Sequence, residues 1–161
     1  MIMKTTATIA LIGFLVLGFN LQLKGQNLTN LQKSKIEKQV DSTFKGMVKV
    51  AENLDYDKIS TGVDDKYNAG FIVNNSYFEK YDALITVLKA NLQTGTKQRI
   101  TIQNKKITVL SDSIALLTAS GDSNVELNSG QSFNVKFLWS FVFEKSNNDW
   151  KVIQSHQSKA N

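Results

Sequence analysis

Residues 132–144 alternate without a break. Phe133, Val135, Phe137, Trp139, Phe141 and Phe143 fall on one face of an extended chain, and Ser132, Asn134, Lys136, Leu138, Ser140, Val142 and Glu144 on the other. Each large apolar side chain gains roughly 1.5–3 kcal/mol on leaving water, so this stripe demands a cover. A sheet with one apolar face and helices laid over it is the plan the strand imposes.

The rest of the sequence supplies both parts. Ile36, Val40, Phe44, Met47, Val48, Ala51 and Leu54 recur in steps of three and four within residues 28–54, the period of an amphipathic helix. Thr29 with Gln32, or Ser34 with Glu37, can form its capping box. A short helical piece fits residues 55–61. Tyr67, Phe71, Ile72 and Val73 suit a short strand, and Asn74-Asn75 a turn. Ser76 with Glu79 reads as a second capping box, opening a helix over residues 77–93 that ends before Gly95. Residues 98–110, 113–120, 132–144 and 150–158 read as strands, with turns at 111–113, 128–130 and 147–149. The order α-(α)-β-α-β-β-β-β predicts an α+β domain, helices against one face of a curved antiparallel sheet.

The start of the chain reads as an address. Lys4 precedes an apolar run, residues 7–19, which gives way to Asn20 and Gln22. That run is shorter than the roughly 20 residues needed to span a bilayer, so residues 1–25 are expected to be a cleaved secretory signal peptide and residues 26–161 a single domain. Secretion or a periplasmic location follows, with membrane contact only through that segment if it stays uncleaved. Removing Lys4 and Lys24 leaves 17 basic and 14 acidic residues, a formal charge of +3. Arg99 is the single guanidinium, and the helical lysines are interleaved with Glu37, Asp41 and Glu52, so no nucleic-acid partner is expected. With no cysteine and one histidine, disulfides, thiolate chemistry and multi-histidine metal sites are excluded. No glycine-rich phosphate loop is present, and neither a cofactor nor a metal is expected.

The run FLWSFVFEKSNNDWKVIQSHQS, residues 137–158, resembles the end of nuclear transport factor 2-like domains, the SnoaL-like group in particular. An apolar strand ending in charge is followed by a polar turn, then by Trp150, Val152, Ile153, His156 and Ser158. The order of elements agrees over about residues 28–158. The resemblance implies a cone: a strongly curved antiparallel sheet wrapped over two to three N-terminal helices, cystatin-like, with a pocket at the open end. It implies no single activity, because the group holds ketosteroid isomerases, polyketide cyclases, dehydratases, scaffolding domains and secreted members of unknown role. The isomerases and cyclases work with an aspartate inside the cone. Here the aromatic face carries no carboxylate, and Asp122, Asp64 and Asp65 are the nearest substitutes. For Asp64 and Asp65, loop solvation and helix capping are the simpler roles.

His156 is the candidate catalytic residue, a general base with Ser158 or Tyr67 beside it; a structural histidine closing the cone is the competing role. Strict alternation from Trp150 puts Val152, Gln154, His156 and Ser158 on one face, and a bulge would exchange the faces. The candidate ligand pocket is Tyr67, Phe71, Trp139, Gln154, His156 and Ser158, with most of the aromatic stripe serving as core. Tyr77 and Tyr81 are expected in the core with satisfied hydroxyls. Asn27-Leu28-Thr29 and Asn74-Asn75-Ser76 match glycosylation sequons. Leu138, Ser140 and Val142 make the convex face less polar than free solvation favours, which suggests a homodimer. The reading is an exported SnoaL-like domain that binds a small apolar molecule or acts as a dimeric accessory module. The alternatives are a cofactor-free isomerase, dehydratase or cyclase, and a protein-interaction module using the convex sheet.

Overall fold

The computed structural model describes residues 27–160; the expected signal segment lies outside the described residues. The elements are α1 (Asn30–Glu52), α2 (Tyr56–Ser60), β1 (Phe71–Val73), β2 (Ser76–Phe78), α3 (Tyr81–Leu92), β3 (Gly95–Val109), β4 (Ile114–Leu127), β5 (Ser132–Ser146) and β6 (Asp149–Lys159). One curved, open sheet runs in the order β2-β1-β6-β5-β4-β3. Neighbours pair antiparallel except β1 with β6. This is the α+β architecture expected.

α1 starts where the first of the two capping boxes places it: Gln32 N–H donates to the Thr29 hydroxyl at 3.2 Å, and Thr29 N–H to Gln32 Oε1 at 2.8 Å. Ile36, Val40 and Phe44 are buried against the sheet. The helix also dresses the outer edge of β3, whose unpaired backbone groups would otherwise invite another strand. Glu52 Oε1 accepts the Ile100 N–H at 2.8 Å, and Asp41 pairs with Lys45 and Lys105. Trp150 Nε1 donates to Gln39 Oε1 at 3.2 Å, tying the helix to β6.

The segment around residue 77 differs from expectation. Asn74 has φ +52°, and Asn74-Asn75 closes a two-residue hairpin in which Ser76–Phe78 pairs with β1. The Ser76–Glu79 capping box therefore does not form, and α3 begins at Tyr81 with Lys80 as a cap that makes no side-chain bond. Asp65 replaces the cap from a distance, its Oδ2 accepting Tyr81 N–H at 3.2 Å. Tyr77 is exposed, its ring lying over Gly70, rather than in the core. Gly95 opens β3 instead of ending a helix, and β4 runs on to Leu127.

Three features bend the sheet. The β3–β4 register shifts between Ile102 and Asn104, leaving Gln103 extra, and the β5–β6 register shifts so that Val142 faces Gln154 while Phe143 faces Val152. Each is a bulge that twists its strand and exchanges the faces beyond it. Between them sits Gly121, where an added Cβ would lie 2.0 Å from the Thr101 carbonyl oxygen and 2.9 Å from Phe137. The strands approach too closely there for any other residue. No described helix is long and apolar enough to cross a membrane.

Candidate functional site

The inner face of β5 divides along its length. Phe141 and Phe143 are buried, with Phe44 of α1 at 5.8 Å from the Phe141 ring. Toward the start of the strand α1 no longer fills the space, and a cavity of about 240 Å3 opens. Its walls are Phe44, Met47, Val48 and Ala51 of α1, Tyr56 and Ile59 of α2, Tyr81 and Leu88 of α3, and the inner residues of β3 to β6. Phe137 and Trp139 stack with centroids 3.7 Å apart and form its aromatic floor.

A few polar groups break this apolar lining. The Tyr56 hydroxyl donates to Gln98 Oε1 at 3.1 Å, and Gln98 Nε2 to the Ser123 hydroxyl at 2.9 Å. Across the cavity Gln157 Nε2 donates to the Ser155 hydroxyl at 3.3 Å. The Tyr81 hydroxyl makes no hydrogen bond among the described residues. Burial pushes Tyr56 up to about 12, and burial together with the nearby Tyr56 pushes Tyr81 up as well. Both phenols are therefore neutral donors near neutral pH. Among the described lining residues there is no carboxylate and no imidazole, and the one cation is Lys159 at the rim. The described residues contain no cluster of three or more His, Cys, Asp or Glu able to hold a metal ion.

The sequence-derived residues separate. Trp139 lines the cavity, and Ser158, paired with Leu138 on the outer-face parity of β6, borders both the cavity and the outer groove. Phe71 is wholly buried beside it, edge-on to Tyr81 at 5.0 Å. Tyr67, 56% exposed, lies on the surface and donates to Glu144 Oε1 at 2.7 Å. Gln154 and His156 point to the outer face, opposite Val142 and Ser140. The bulge at Ile153 is the physical reason: strict alternation fails there, so Ser155 and Gln157, not Gln154 and His156, turn inward. His156 is exposed and lies in an outer groove of about 500 Å3 with Lys106, Ser120, Leu138 and Ser140. That groove is the larger, but it is an open trough on the sheet, whereas the inner cavity is walled by helices and strands together. Asp122 also faces outward, accepting from Gln103 and Asn134, and Asp64 accepts from Lys66 N–H.

Tyr56, Gln98, Ser123, Ser155, Gln157 and Lys159 were not legible as site residues. For Gln98 and Ser123 the only available signal was inward parity on β3 and β4; for Ser155 and Gln157 it was masked by the bulge.

Solved structures share this fold. A nuclear transport factor 2-like superfamily protein from Salmonella enterica superposes with TM-score 0.69 at 13% identity, covering 80% of this chain and 94% of that one. A proposed dehydratase of the same family from Streptomyces avermitilis gives 0.70 at 12%, covering 80% and 99%. A hexachlorocyclohexane dehydrochlorinase of type 3 from Novosphingobium barchaimii gives 0.67 at 11%, covering 83% and 92%. No curated protein matches the chain in sequence. The sequence profile of the SnoaL-like domain matches residues 40–161, and the chain belongs to that family, within the nuclear transport factor 2-like superfamily.

Proposed function

We propose that this chain is an exported SnoaL-like domain that binds a small, largely apolar molecule in the inner cavity and performs no chemistry on it. The observation that carries this reading is the composition of the lining: aromatic and aliphatic walls, a few fixed hydrogen-bonding groups, and no carboxylate or imidazole among them. Such a lining fits recognition. General acid–base catalysis needs a group whose pKa lies near the working pH, and the two buried phenols are held far above it. The dehydratase and dehydrochlorinase neighbours share the fold at 8–12% identity, but a cofactor-free elimination in this cavity would lack a base. Export is supported by the apolar run at residues 7–19. A homodimer is supported by the outer face, where Leu138 is 53% exposed.

Native mass spectrometry on protein recovered from an exported form is the test. A retained small molecule, or one taken up from a panel of apolar compounds with a change in Trp139 fluorescence, is the expected result. A protein that retains nothing and whose emission no member of the panel changes would end the binding reading. The same spectra report whether the protein is a dimer.

A further inference from the structure

Lys159 stands apart from the other lysines that approach the sheet. By the register of β6 beyond its bulge it lies on the inner face, opposite Phe137, and it lines the cavity at the rim. Its backbone is fixed on both sides. Lys159 N–H donates to Asn74 Oδ1 at 3.0 Å, and Ala160 N–H to the Lys136 carbonyl at 2.9 Å. No carboxylate among the described residues pairs with its ammonium group; the strand lysines Lys106, Lys136 and Lys151 also lack an acidic partner there, but Lys159 is the lysine that lines the cavity. The acids nearest in the strand register, Asp122 and Glu126, are on the outer face and engaged by Gln103, Asn134 and Lys97.

Resting on the binding reading above, we infer that the ligand is a small apolar monocarboxylic acid, its carbon body against Trp139 and Phe137 and its carboxylate at the Lys159 ammonium. Among the described residues the cavity lining has one positive charge, Lys159, and no acid pairs with it there. A neutral ligand leaves that charge unused. A dianion brings a second charge with no partner in the lining, and burying an unpaired charge is costly. A single carboxylate on an apolar body matches both halves of the site. A cavity of about 240 Å3 fits an acid with a short chain or a single ring.

The test is a fluorescence titration of the exported protein with the straight-chain acids from butyrate to decanoate and with their uncharged amides. In the native protein an acid should bind about fivefold more tightly than its amide, the scale of an exposed charge pair, and added salt should shrink the gap. Lys159→Gln should remove the preference, so that acid and amide bind alike. Acids and amides that bind equally well to the native protein would overturn the carboxylate inference while leaving the cavity reading intact. A preference that survives in Lys159→Gln would overturn it too. If neither series binds, the cavity reading falls with it.

Discussion

Phe143 and Phe133 occupy the same face of the same strand, ten residues apart, with the same side chain. Phe143 is fully buried and Phe133 is 42% exposed. The difference lies in what stands opposite. At the closed end α1 presents Phe44, and Trp150 of the next strand is tied to Gln39, so helix and sheet interdigitate. At the open end the helices wall a cavity instead of filling it. A hydrophobic stripe therefore states which face turns inward, not whether that face becomes core or binding wall. In this molecule one stripe does both.

The largest effects should break the closed end. Phe143→Ala should cost about 3–5 kcal/mol, the range for an aromatic removed from a packed interior, while Phe133→Ala should cost under about 1 kcal/mol. Urea denaturation of the two variants tests the contrast directly; similar losses would mean that the two ends are packed alike. Gly121→Ala should follow, at about 3 kcal/mol, because its Cβ would collide with the Thr101 carbonyl and force the bend to relax. An unchanged urea midpoint would show that the bend does not depend on this approach.

Gln98→Leu works at the open end. It leaves the Tyr56 and Ser123 hydroxyls without their shared partner, which should cost about 1–3 kcal/mol. Ala51→Leu should have the opposite profile. Ala51 faces the cavity from α1, so the larger side chain should fill space without strain. Stability should stay within about 1 kcal/mol and binding of any ligand should be lost; a variant that still binds would place the ligand elsewhere.

The smallest effect concerns the outer side of the closed end. Lys66, whose Nζ is 2.6 Å from the buried Glu144 Oε2 without hydrogen-bond alignment, and Tyr67 hold the Glu144 carboxyl below the ordinary carboxylate range. The unfolded chain then takes up this proton first as the pH falls. The contribution is complete above about 4.5, the ordinary value, and is lost as the pH drops through the depressed folded value. With Lys66 substantially exposed it should be under about 1 kcal/mol. Melting curves at pH 7 and pH 3 should show a shallower acid loss for Glu144→Gln than for the native protein; parallel losses would remove Glu144 from the acid dependence.

The α1 period, the Thr29–Gln32 box as one of two candidates, the asparagine turns and the inward parity of β5 were all legible in the residues, because each depends on contacts within a few positions or on a period of two. Asn147 and Asn148, both at positive φ, make the β5–β6 turn that two adjacent asparagines favour. The family resemblance came from the same run and agrees with the SnoaL-like profile. The β2 hairpin escaped because Ser76 and Glu79 satisfy a helix-start pattern that pairing with β1 overrides.

The site was the least legible part. Residue order fixes the alternation of β6 only up to its bulge, and whether one extra residue is inserted at Ile153 depends on how β6 must bend to follow β5. That single insertion moves His156 to solvent and brings Ser155 and Gln157 inward. Likewise the stripe on β5 determined that helices would cover it, but only the packing of the three helices against the sheet decided where the core ends and the cavity begins. Periodicity is local and is written in the chain; a bulge and a void are settled by what packs against them.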